Sequence, residues 1–139
     1  MSDVVFTNGC FDLIHAGHVD LLRECFWAAK RLTADTGRRH VIIIGLNSDD
    51  SVRRLKGPTR PLMTFEQRRD VLLSIRFVDH VIKFDDDTPL ELIKTIRPVL
   101  LVKGEEYRET GIIGSEYAGG VMFVKRRYEI STTKILKGR

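Results

Sequence analysis

Thr7-Asn8-Gly9-Cys10-Phe11-Asp12-Leu13-Ile14-His15-Ala16-Gly17-His18 follows directly on an apolar run, Val4-Val5-Phe6, and leads into helical spacing from Val19. An apolar run, a glycine-bearing turn and a helical period together make a strand–turn–helix unit. His15 and His18 fall where that helix begins. A helix N-terminus has N–H groups without intrahelical partners and a partial positive charge, so it suits an anion. Two imidazoles at the same place add nitrogen donors, and the combination points to phosphate chemistry. The plainer alternative is a capping Asp12 and two surface histidines on an ordinary βα unit. Against it, features suited to phosphate recur further along the chain.

Outward from this unit the pattern alternates. Residues 4–7 read as a short buried strand, and residues 19–32 as a helix with Val19, Leu22, Phe26 and Ala29 on one face. Residues 33–39 are polar, contain Gly37 and read as a loop. Residues 41–46, Val-Ile-Ile-Ile-Gly-Leu, have the β-branched continuity of a parallel strand buried on both faces. Ser48 or Asp49 can cap a short helix over residues 50–55. Residues 57–61 form a loop, and Thr64 with Gln67 makes a capping box for a helix through Ile75. Residues 80–83 give a third strand. Thr88 is placed to cap a helix over residues 89–96, with Pro89 at its first position. Residues 99–102 and 121–124 complete five strands, and Ser131 can cap a C-terminal helix. The alternation predicts one α/β domain: an open five-stranded parallel sheet with helices on both faces, right-handed crossovers and ligands at the strands' carboxyl ends.

The 139 residues suit one domain with a real core. Hydrophobic residues make up 42% and charged residues 30%, a globular balance, and no apolar stretch approaches the roughly 20 residues of a membrane helix. The N-terminus has no basic segment leading into an apolar one. Cys10 and Cys25 have no metal-ligand spacing and read as reduced thiols of a cytoplasmic protein. The formal charge of +4 fits nucleic acid or a small polyanion. The basic residues are dispersed and not interleaved with aromatics, so nucleic acid and membrane are not expected partners.

Three further constellations bear on chemistry. Ser131, Thr132 and Thr133 precede the last helix, where hydroxyls and amides can hold phosphate oxygens. Lys56 borders a Gly/Pro loop and is the first candidate for a clamp over phosphates, with Arg60 and Arg68 beside it. Asp12 and Asp49 can contact substrate or help hold Mg²⁺ alongside phosphate oxygens; Asp12 can equally cap the turn or orient an imidazole. Asp85, Asp86 and Asp87 read as a solvated loop, and His40 and His80 as ordinary strand-edge residues.

The string over Gly9, Phe11, Asp12, His15, Gly17 and His18 resembles the phosphate-binding signature of the HxGH nucleotidyltransferases. That superfamily includes cytidylyltransferases, adenylyltransferases and, remotely, class I aminoacyl-tRNA synthetases. The Ile130-Ser131-Thr132-Thr133 run is similar to its C-terminal signature. The resemblance implies a Rossmann-like fold. It also implies a nucleotide and phosphate site made by Thr7, Asn8, Gly9, Phe11, Gly17, Arg68, Lys103, Gly104 and the three hydroxyls, with His15, His18 and Lys56 as catalytic residues.

Stretches 7–12, 46–49, 55–57, 87–89 and 102–104 look like the adenylyltransferase domain of bacterial ADP-heptose synthase. That implies Mg²⁺, ATP and a phosphorylated sugar, here D-glycero-β-D-manno-heptose 1-phosphate. The domain is often fused to a sugar kinase; none is present here, so a stand-alone form is expected. Homodimers are common in the related families. Residues 74–79 and 126–135 look more like glycerol-3-phosphate cytidylyltransferase. That would make Arg76 and Arg126 substrate contacts and CTP the nucleotide, although Glu129 replaces that family's glycine. Glu105 likewise departs from the Lys-Gly-Gly-Asp-Tyr of the heptose family. A non-catalytic nucleotide-binding module is the remaining reading.

Overall fold

In the computed structural model, residues 1–125, 127 and 135–137 are described. Five strands form one all-parallel sheet: β1 (Ser2–Gly9), β2 (Val41–Asn47), β3 (His80–Phe84), β4 (Pro98–Gly104) and β5 (Val121–Val124). Their spatial order is β3-β2-β1-β4-β5. The chain runs outward from β1 to β3, then returns to lay β4 on the other side of β1. A crevice therefore opens where β1 and β4 end, at the reversal of strand order.

Alternation along the strands sorts the core into two faces. Val5, Ile42, Ile44 and Val102 join Leu22, Cys25 and Ala29 of α1 (Ala16–Thr36) on one face. The helix α3 (Phe65–Ser74) adds Phe65 and Leu72 on that side, packed with Phe77 and Val78. Val4, Phe6 and Leu101 pack against Ile93 of α4 (Leu90–Ile96) on the other face. The predicted open sheet with helices on both faces is what the chain forms. The short α2 (Asp49–Lys56) lies between β2 and α3 in sequence.

Element ends differ from the sequence reading in instructive ways. The helix α1 runs through Thr36, so half of the expected loop at residues 33–39 is helix. It stops because Gly37 takes a left-handed φ of 74° and returns its N–H to Thr33 O at 2.9 Å. Ser48 is the cap of α2, and the Thr64/Gln67 capping box forms as expected. Pro89 sits at the cap of α4 and not at its first position; Leu90 N donates to Thr88 Oγ1 at 3.4 Å.

Candidate active site

At the carboxyl ends of the strands lies a cleft of about 520 Å³. It is lined by Thr7, Asn8 and Gly9 of β1, the turn through Asp12, the start of α1, Lys56, Arg60, Lys103 and Gly104 at the end of β4, and Tyr107 just beyond it. The sequence motifs after β1, β2 and β4 thus converge on one edge. Thr7 Oγ1 and Asn8 Oδ1 are buried without hydrogen-bond partners among the described residues. The end of β1 therefore holds polar atoms that the fold leaves unsatisfied, as a ligand-facing strand does.

The two imidazoles are fixed by their own helix. His15 is the N-cap of α1, and its Nδ1 accepts from Gly17 N at 3.1 Å. His18 Nδ1 accepts from His15 N at 3.2 Å, closing a capping box in which both caps are rings. The rings stack with centroids 3.8 Å apart. Phe11 supports His18 from below at 4.8 Å, and its ring folds back so tightly that a Cβ on Gly9 would meet it at 3.1 Å. An acceptor Nδ1 in a neutral imidazole puts the ring proton on Nε2. Each ring lining the cleft thus carries an Nε2–H donor in a set tautomer.

This cap alters the expected use of the backbone. Gly17 N–H goes to His15, and the N–H groups of His18 and Val19 go to His15 O at 3.0 and 3.2 Å. The anion-binding capacity here resides in side-chain nitrogens more than in free amides. Gly17 keeps its place in the cleft wall, but its amide is not a phosphate donor in this arrangement.

The profile of the family described as Cytidylyltransferase-like matches residues 6–138. This chain belongs to that family. It is 45% identical to the bifunctional protein HldE of Gluconobacter oxydans, over 97% of this chain and 27% of that protein. With the bifunctional protein HldE of Caulobacter vibrioides the identity is 47%, over 96% of this chain and 26% of the relative. The chain spans about a quarter of the length of these curated relatives. A solved lipopolysaccharide core biosynthesis protein from Thermoplasma volcanium shares the fold, with a TM-score of 0.64, 17% identity, and coverage of 92% of this chain and 98% of that one.

Several expected site residues prove to be framework in this family member. Arg68 is fully buried, and its guanidinium donates to Met63 O, Cys10 O, Asn47 O and Asp49 Oδ1 at 2.7–3.0 Å. It cannot also clamp phosphate, because it ties the turn after β1 to the end of β2. Asp12 accepts from Arg60 Nε at 2.9 Å, Leu62 N at 2.7 Å and Met63 N at 2.9 Å. This is a role the sequence reading did not include: Asp12 pins the loop that carries Arg60. Asp49 Oδ1 accepts from both Phe65 N and Arg68.

With Asp12 and Asp49 so engaged, the two carboxylates do not fit a protein-built Mg²⁺ site. No group of three or more His, Cys, Asp or Glu that could hold a metal occurs among the described residues. Arg76 is exposed beside Phe77, before β3 begins, at the sheet edge opposite the cleft. It does not reach this chain's site. Arg126, Ser131, Thr132 and Thr133 lie outside the described residues.

The cleft also contains residues that the sequence reading did not assign to the site: Asp20, Leu21, Leu55, Phe84, Asp87 and Val124. Phe84 and Asp87 were within reach, since the one ends β3 and the other follows it on the ligand-binding edge. The acidic run is an exposed loop, as expected, and its groups also make contacts with α2. Asp85 accepts from Ser48 Oγ, Asp86 O accepts from Ser51 Oγ at 2.9 Å, and Asp87 pairs with Arg54 at 2.9 Å.

Lys103 is the cleft residue whose charge its setting alters strongly. It is half-buried over the Tyr107 ring at 5.1 Å. Burial pushes its ammonium from the ordinary 10.5 down to about 8, with Glu106 pulling the other way. Between about pH 8 and 10.5 the unfolded chain holds a proton that the fold does not, so this residue makes stability rise with pH through that window. Lys103→Met should raise the melting stability at pH 7 by up to about 3 kcal/mol while weakening triphosphate binding. Melting curves from pH 7 to 10 check it. A variant no more stable than wild type at pH 7 would show that the ammonium is not penalised.

Proposed function

We propose that this protein is a nucleotidyltransferase that moves AMP from ATP to a phosphorylated sugar, D-glycero-β-D-manno-heptose 1-phosphate, releasing pyrophosphate. The observation that carries the reaction class is the stacked histidine pair, whose Nδ1 atoms are held by backbone amides and whose rings line a cleft with Lys56, Arg60 and Lys103. Adenylyl transfer and the sugar acceptor rest on the relatives at 45–47% identity and on the resemblance to the ADP-heptose synthase domain.

In this reaction an acceptor phosphate oxygen attacks the α-phosphorus of ATP in line. A P–O bond forms, the α–β bridging P–O bond breaks, and pyrophosphate leaves. The attacking phosphate is already anionic near neutral pH, so no protein base or covalent intermediate is required. Burial raises the Cys10 thiol above its ordinary value, which disfavours the thiolate form. The protein's work is positioning and charge stabilisation. His15 and His18 donate to α- and β-phosphate oxygens, and Lys56 and Lys103 supply positive charge across the cleft. The divalent cation enters as part of the metal–triphosphate substrate, held by phosphate oxygens. Ser131, Thr132 and Thr133 complete the phosphate contacts in this reading, and the working form is a cytoplasmic homodimer.

The cytidylyl alternative loses one of its supports, because Arg76 stands at the edge opposite the cleft. Pyrophosphate release with Mg²⁺, crossing ATP and CTP with heptose 1-phosphate and glycerol 3-phosphate, is the test. Turnover is expected with ATP and heptose phosphate. Turnover only with CTP and glycerol phosphate would overturn the assignment, and binding without turnover in any pairing would make the protein a nucleotide-binding module.

A further inference from the structure

Asp20 puts a carboxylate into the wall of a cleft suited to a polyanion. It stands in the second turn of α1, only 5% exposed, where water cannot offset its charge. Aspartate is a poor helix-interior residue, and a buried one needs a partner. Its partner comes from far along the chain: Arg127 Nε and Nη2 donate to Oδ1 at 2.9 and 2.5 Å, and Arg23 Nη1 adds a contact at 3.1 Å. Oδ2 has no hydrogen-bond partner among the described residues and is sealed from solvent. The Arg127 hydrogen bond holds the Asp20 carboxyl below the usual range, so the pair stays charged at neutral pH.

The asymmetry of the pair is informative. The Arg127 side chain is 62% exposed and that of Asp20 is 6%. An exposed arginine contributes little to the core, so the sheet does not depend on it. What the contact does is local: it joins the chain just beyond β5 to the helix that presents the two histidines. Val124, three residues before Arg127, lines the same cleft, and Ser131 follows Arg127 by four residues.

We propose that Asp20 is a positioning residue that, through Arg127, anchors the chain after β5 to the cleft wall and so sets the affinity for the nucleotide. It rests on the nucleotidyltransferase reading for its ligand, but the anchor itself is testable without one. Hydrogen exchange on the nucleotide-free full chain compares wild type with Asp20→Asn. Peptides covering residues 125–137 should exchange faster in the variant, while the melting temperature stays within about 3 °C.

With nucleotide, Asp20→Asn and Arg127→Ala should each raise KM for the triphosphate about tenfold with little change in kcat. The double variant should be no worse than the poorer single one, since both remove the same contact. Arg127→Lys, which keeps the charge, should recover part of the loss. Unchanged exchange in Asp20→Asn, or additive KM effects, would overturn the anchor. A wild-type chain that binds neither ATP nor CTP would sink the functional reading and leave the exchange comparison to decide the anchor.

Discussion

His18→Ala is expected to lower pyrophosphate release by about 10²–10³-fold, the usual cost of removing one preorganised donor to a developing charge. The ring is held by the hydrogen bond from His15 N, the stack on His15 and the Phe11 ring beside it, among other contacts. A donor fixed before substrate arrives needs no reorganisation in the transition state, which is why its removal should fall mainly on kcat. His15 needs a subtler variant, because it also caps α1. An alanine there would lose the cap, worth about 1 kcal/mol, together with the donor. Asparagine can accept from Gly17 N as the imidazole does, so His15→Asn should keep the melting temperature while losing rate. Steady-state kinetics on the substrate pair that turns over, beside thermal melts, separates the two effects. His18→Ala activity within threefold of wild type would remove the imidazoles from the reacting phosphates.

The same geometry shows what the primary structure discloses and what it hides. The strand–turn–helix over residues 4–18 was readable because its signals are local: an apolar run, a glycine that leaves room for Phe11, and a cap within three residues of its partner. The alternation of strands and helices was readable for the same reason. Strand order was not, because nothing in the β3–α4–β4 stretch states that β4 returns to the far side of β1.

Within the site, the histidines, Lys56, and Lys103 and Gly104 at the end of β4 are legible from their neighbours in sequence. By residue type and nearness to the motifs Arg68 reads as a phosphate contact and Asp12 as a substrate or metal contact, but the fold uses both as struts. Their acceptors and donors come from segments up to 58 residues away, as between Arg68 and Cys10. Asp20 is the same lesson in reverse. It falls inside an ordinary amphipathic helix, and its significance depends on an arginine 107 residues downstream.

Arg68→Met should therefore be among the most destabilising single changes, at about 3–5 kcal/mol, the summed cost of leaving several buried carbonyls without their donor. The guanidinium sits at 0% exposure with its charge answered by Asp49 and three carbonyls. Methionine fills much of the volume but donates nothing. The carbonyls of Cys10 and Asn47 then lose a shared donor at the base of the cleft, while the half-exposed Asp49 carboxylate can turn to water. For a domain of this size the loss corresponds to a melting point lower by about 10–20 °C. Arg68→Lys should be only partly better, since a point charge cannot reach acceptors arrayed around a planar fork. Nucleotide affinity measured well below each variant's melting point distinguishes this from a direct phosphate contact. A strut lost at the end of β2 should lower stability far more than affinity. An Arg68→Lys protein that melts like wild type but binds triphosphate tenfold more weakly would return this arginine to the phosphate site.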